Sequence, residues 1–131
     1  MKWRLPILLL LLASMKLVFA AEIRFVIVDV LIDPGSESLA AYQLEIAAPA
    51  GTKFVGIEGG EHPEFRKAPY YDPKAMQSER LIVAAFSVAP DAKLPRERTR
   101  ILTLHLQTAS SDTAKLEPQL KLAAKPNGQK I

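Results

Sequence analysis

The sequence predicts an all-β fold, an antiparallel β-sandwich, behind a short apolar leader. Three observations point to it. Past residue 20 no stretch sustains the apolar period of a helix. Short runs rich in Val, Ile, Leu and Phe recur instead, separated by clusters of Pro, Gly, Asp and Ser. The 131-residue chain also has no cysteine, so a single core must be held by packing, with neither a disulfide framework nor a thiolate metal site.

The opening stretch, "MKWRLPILLLLLASMKLVFA", has basic residues at Lys2 and Arg4 and an apolar run from Leu5 to Ala13. It ends in Val18-Phe19-Ala20, a small-x-small pattern that suits signal peptidase. The run is shorter than the roughly 20 residues a membrane span needs, and Lys16 keeps it from extending to Ala20. Residues 1–20 are therefore read as a signal-peptide helix cut after Ala20, with an uncut N-terminal anchor as the alternative. The chain is expected in the periplasm, at the cell surface or outside the cell, with residues 21–131 as one domain. The formal net charge of +3 belongs to the leader, because removing Lys2, Arg4 and Lys16 leaves fourteen basic against fourteen acidic residues. A near-neutral domain lacks the basic surface that nucleic-acid binding needs.

The elements come in order along the chain. "EIRFVIVDVLID" (22–33) is apolar at both parities for much of its length. Such a strand lies inside a sheet with packing on each side, or bridges a sandwich edge. "DPGSES" ends it with turn chemistry. "LAAYQLEIAA" (39–48) alternates, with Tyr42, Leu44 and Ile46 on one face and Gln43 and Glu45 on the other. "PAG" turns the chain into "TKFVGIEG" (52–59). After a long connection, "RLIVAAFSV" (80–88) puts Ile82, Ala84, Phe86 and Val88 on one face. "RTRILTLHLQTA" (98–109) sends Leu102, Leu104 and Leu106 inward and Thr103, His105 and Gln107 outward. "PQLKLAAK" (118–125) places Leu120 and Leu122 together.

Three of these runs carry a family resemblance. "LAAYQLEI" (39–46), "RLIVAAFS" (80–87) and "TRILTLHL" (99–106) resemble, in order and pattern, strands of cohesin-like domains of the carbohydrate-binding/cohesin sandwich superfamily. The resemblance implies a sandwich of cohesin-like or jelly-roll type and an extracytoplasmic binding module. It assigns no individual residue a role. The Pro-rich, charged segment before "RLIVAAFS" departs from the family's simpler connection.

That segment, "GGEHPEFRKAPYYDP" (59–73), is the candidate site. A connection near twenty residues is uncommon in a compact domain unless it is functional or internally packed. As a lid, Gly59-Gly60 would turn it sharply, three prolines would stiffen it, and Phe65, Tyr70 and Tyr71 would fold over the core. Asp72 with Pro73 would start a helix of about a turn and a half. As a recognition surface, His62, Glu64, Phe65, Arg66, Tyr70, Tyr71 and Asp72 have the composition of a protein-binding loop on a rigid scaffold. Glu61, His62, Glu64 and Asp72 match no metal-ligand spacing, so no metal and no cofactor is expected.

His105, on the polar face of its strand, is read as solvated or paired across the sheet. Arg96, Arg98 and Arg100 form a small basic patch on an exposed edge. No Gly-x-Ser-x-Gly, His-Glu-x-x-His or phosphate-loop motif is present, and no serine setting suggests a triad. The residues therefore predict a non-catalytic binding module. Its expected partner is a protein, with a polysaccharide as the alternative. Nucleic acid is not expected, and membrane contact only through an uncut leader.

Overall fold

The computed structural model describes residues 22–109 and 115–131. The leader, and with it the signal-peptide helix, lies outside the described residues. Among the described residues seven strands form, in the order β1 (Arg24–Ile32), β2 (Ala41–Ala47), β3 (Thr52–Gly59), β4 (Tyr70–Tyr71), β5 (Arg80–Phe86), β6 (Thr99–Thr108) and β7 (Glu117–Ala124). They make two antiparallel sheets, β1-β6-β3 and β4-β5-β2-β7. The chain changes sheet at nearly every connection. The turn at 49–52, closed by Thr52 N–H donating to Pro49 O at 3.0 Å, carries it from one sheet to the other. Gly51 occupies the turn's left-handed position, φ 83°.

One apolar cluster joins the sheets, as in a β-sandwich. Tyr42, Leu44 and Ile46 of β2 and Leu81 and Val83 of β5 meet Phe54 of β3 and Leu102, Leu104 and Leu106 of β6. The period-two reading of β2 therefore holds, and that of β6 holds for its inward leucines, whereas Thr103, read as outward, is buried and bonded to Arg100 and Asp29. β6 carries one residue more than β1 between Val30↔Leu102 and Leu31↔Arg100, so Ile101 and Leu102 are both buried. At the opposite end the hydroxyls of Thr52 and Thr108, paired across β3 and β6, meet at 2.7 Å inside the core.

Three expectations are refined. β1 is an edge strand, and its outward residues Phe25, Ile27 and Leu31 are exposed, so it is not packed on both faces. Ile82, Ala84 and Phe86 do share a face, but it is the outer one, because register places Leu81 and Val83 opposite Ile46 and Leu44. Leu120 and Leu122 are separated by a register shift that sets Leu120 opposite Leu44 and Leu122 opposite Gln43, and Leu120 stays exposed on this edge strand.

Burial pushes the Tyr42 phenol well above its ordinary value, by removing the phenolate from water. A folded pKa above the unfolded one means that stability is whole below about pH 10 and falls as pH rises beyond it. Urea unfolding at pH 10 and pH 11 should show the natural protein losing about 1 kcal/mol more across that interval than Tyr42→Phe. Equal losses in the two proteins would mean that the phenol ionises freely in the fold.

Candidate functional site

The connection from β3 to β5 is built around its two glycines. A Cβ on Gly59 would lie 1.9 Å from the carbonyl oxygen of Arg66, and one on Gly60 would lie 2.3 Å from that of Arg100. Only glycine lets three backbone segments approach this closely. Gly60 N–H donates to Phe65 O at 2.7 Å, and Glu61 exchanges bonds with Arg100. Its N–H donates to Arg100 O at 3.0 Å, and its Oε1 accepts from Arg100 N–H at 2.8 Å. The Arg100 guanidinium turns back to donate to Gly59 O at 3.0 Å and to Thr103 Oγ1 at 2.8 Å. Thr103 in turn donates to Asp29 Oδ1 at 2.9 Å.

His62 then caps a 3-10 turn over Pro63–Phe65. Its Nδ1 accepts from Glu64 N–H at 3.1 Å, and proline occupies the first turn position. Phe65 is driven into the core, its ring centroid 5.6 Å from that of Tyr42 and tilted by 52°. Pro69 is buried, and Tyr70 and Tyr71 pair with Ala84 and Val83 as an edge of the four-stranded sheet. Asp72 caps the next turn, with Oδ1 accepting from Lys74 N–H at 2.9 Å. That turn is a 3-10 turn over Pro73–Ala75, shorter than the sequence suggests. The end of the connection runs along β3, with Gln77 N–H donating to Phe54 O at 2.8 Å and Phe54 N–H to Ser78 O at 3.1 Å.

Of the three candidate lid residues, Phe65 alone covers the core; Tyr70 and Tyr71 stay at the surface. Tyr70 is 70% exposed and stacks on Phe86, itself 62% exposed, with centroids 6.1 Å apart and planes within 14°. Val88, just past the strand, is 92% exposed. These side chains border an open cleft of about 630 Å³ floored by Phe65, Pro69 and Ala85. Lys67 lies on its wall, and Glu64 is held there by an Oε2 that accepts from Ser87 Oγ at 2.8 Å.

The seven sequence-predicted residues do not form one site. Glu64, Phe65 and Tyr70 line this cleft. His62 lies in a separate depression beside Pro95, Arg96 and Thr99. Asp72 lies in a third, with Lys74 and Ile82. Arg66 and Tyr71 are outside the linings of all three. Among the described residues no three His, Asp or Glu side chains converge as a metal site requires. His105 pairs across the sheet, its Nε2 2.8 Å from Glu58 Oε2. The basic patch is dispersed, because Arg96 pairs with Asp91 and Arg100 is folded onto the connection.

Phe86, Ser87 and Val88 also line the cleft and are not among the seven sequence-predicted residues. The available signal was the apolar parity of 80–88 in a strand whose other parity, Leu81 and Val83, is apolar too.

No family matches the sequence, and no curated protein or solved structure is similar to it.

Proposed function

We propose that the chain is an exported, non-catalytic binding module, a cohesin-like sandwich that captures a protein partner with the β4–β5 end of its four-stranded sheet. The observation that carries this reading is the exposed Tyr70–Phe86 stack beside the cleft. Large apolar side chains gathered at the surface mark interaction sites, and tyrosine and other aromatics supply most of the energy in protein recognition. The clamped connection holds Tyr70 ready, which lowers the entropy cost of association. Lys67 and Glu64 supply charge at the margin, where it sets orientation. The leader read in the sequence supports capture outside the cytoplasm.

The test is affinity capture from envelope and secreted fractions, followed by titration of the recovered protein. Tyr70→Ala and Phe86→Ala should each weaken binding by about 2 kcal/mol, near thirtyfold in Kd. Stability should change by less than about 1 kcal/mol, because both rings are largely solvated. Unchanged affinity in both variants would remove this surface from consideration as the binding site.

The same stack favours one second reading, a polysaccharide ligand lying on the outer ring face. A glycan array that retains the natural protein and loses Tyr70→Ala would establish it. An empty array would dismiss it.

A further inference from the structure

The edges of the two sheets are unequal. β3 is covered by the Gln77–Ser78 backbone. β4 is two residues long, and β7 carries Pro118, Lys121 and a register shift. Short length, proline, lysine and irregularity are the usual guards against edge-to-edge pairing. β1 ends the three-stranded sheet with few of them: nine residues, RFVIVDVLI, without proline or lysine, charged only at Arg24 and Asp29, and with a register shift whose extra residue lies in β6. Its outward side chains Phe25, Ile27 and Leu31 are 75%, 67% and 47% exposed. Its inward side chains Val26, Val28 and Val30 are only half-buried, beside a cleft of about 210 Å³ that opens toward Pro118 of β7. Among the described residues nothing completes either face of this edge.

We propose that β1 pairs antiparallel with β1 of a second copy of this chain, on a two-fold axis at Val28, joining two three-stranded sheets into one of six. The occupant is argued from the strand's own symmetry. About Val28 all nine residues overlap, Val26 faces Val30, and Phe25 faces Leu31, so apolar meets apolar on both faces. Such an isologous contact closes after two copies. Ile27 falls opposite Asp29, whose carboxylate is drawn back over its own sheet by Thr103 Oγ1 at 2.9 Å. Nine residues at about 3.4 Å each align over roughly 30 Å. Covering the apolar side chains on both faces removes on the order of 1,000 Å² in total, the low end for a specific interface. The pair is therefore a dissociable dimer. It is independent of the aromatic stack, which lies on the other sheet.

Sedimentation equilibrium of the purified exported chain over a concentration series tests this, with two substitutions at one exposed position. Ile27→Asp sets like charges opposite each other twice across the axis, and should raise the dimer dissociation constant at least tenfold. Ile27→Lys sets opposite charges there and should leave it unchanged or lower it. Ile82→Lys, on the outer face of the other sheet, should have no effect. Far-UV circular dichroism confirms the fold of each variant. A monomeric natural protein at all concentrations overturns the proposal. So does a dimer insensitive to Ile27→Asp, which places the contact elsewhere. Equal loss in Ile27→Asp and Ile27→Lys overturns it as well, by showing an apolar contact without this register.

Discussion

Gly60→Ala is expected to destabilise the domain by more than about 3 kcal/mol, among the largest effects of any single methyl addition in this chain. The added Cβ would stand 2.3 Å from Arg100 O and 2.8 Å from two backbone atoms of Ile101. The atoms that would have to move are backbone, and they belong to β6, the centre of the three-stranded sheet. Relief by side-chain rotation is therefore closed off, and the strand or the connection must shift. The hydrogen bonds between Glu61 and Arg100 and between Gly60 and Phe65 would be lost with it. Gly51→Ala provides the contrast, because nothing lies within 4 Å of its Cβ and only its φ of 83° is unfavourable. It should cost about 1–2 kcal/mol. Urea denaturation of the two variants checks the ordering. Equal costs would mean that the close approach at Gly60 is not a constraint on the fold.

Phe65→Ala is expected to cost about 3–5 kcal/mol, the range for emptying a buried aromatic site. The Phe65 ring is almost wholly buried against Tyr42, the first of the three residues that β2 turns to the core. It is also the one deep apolar anchor of the segment between Gly60 and Pro69. Its loss should therefore be felt locally before it is felt globally. Amide hydrogen exchange at Phe65 and Gly60 should rise by more than that of β6, because the bond from Gly60 to Phe65 depends on the ring's seat. A uniform rise across the domain would mean that the connection has no separate opening.

These two residues divide the candidate segment into a clamped half and a presented half. Gly60 and Glu61 bond to Phe65 and Arg100, His62 caps the turn, and Phe65 is buried in the core. Tyr70 is held by strand pairing and left in water. The residue that covers the core and the tyrosine that stays exposed are different residues of one loop.

Much of the fold was legible because β2 alternates strictly and β6 alternates over most of its length after the extra residue at Ile101. Where one parity is polar, as with Gln43 and Glu45, or Thr103, His105 and Gln107, the buried face is fixed directly. The capping role of Asp72 was legible for a similar local reason, since an Asp-Pro pair can be recognised without tertiary context. β1 and β5 were different. Both parities are apolar, so the period alone does not choose a face, and register against β6 and β2 makes the choice. In both strands the unused apolar parity became exposed surface: Phe25, Ile27 and Leu31 on one sheet, Ile82 and Phe86 on the other. The period alone gives no sign of which apolar parity stays solvated. The shared placement of the seven candidate residues was not legible, because contact between a loop and a distant strand end, such as Glu64 with Ser87, leaves no spacing signal.

Capture of a partner by the Tyr70–Phe86 surface is the central claim. A photo-reactive amino acid at position 70, and another at position 107 on the outer face of the three-stranded sheet, tests that use in cells that export the chain. Position 70 should yield a discrete cross-linked protein of one mass, and position 107 should not yield that band. No discrete product at position 70, or the same product at both positions, would contradict the claim.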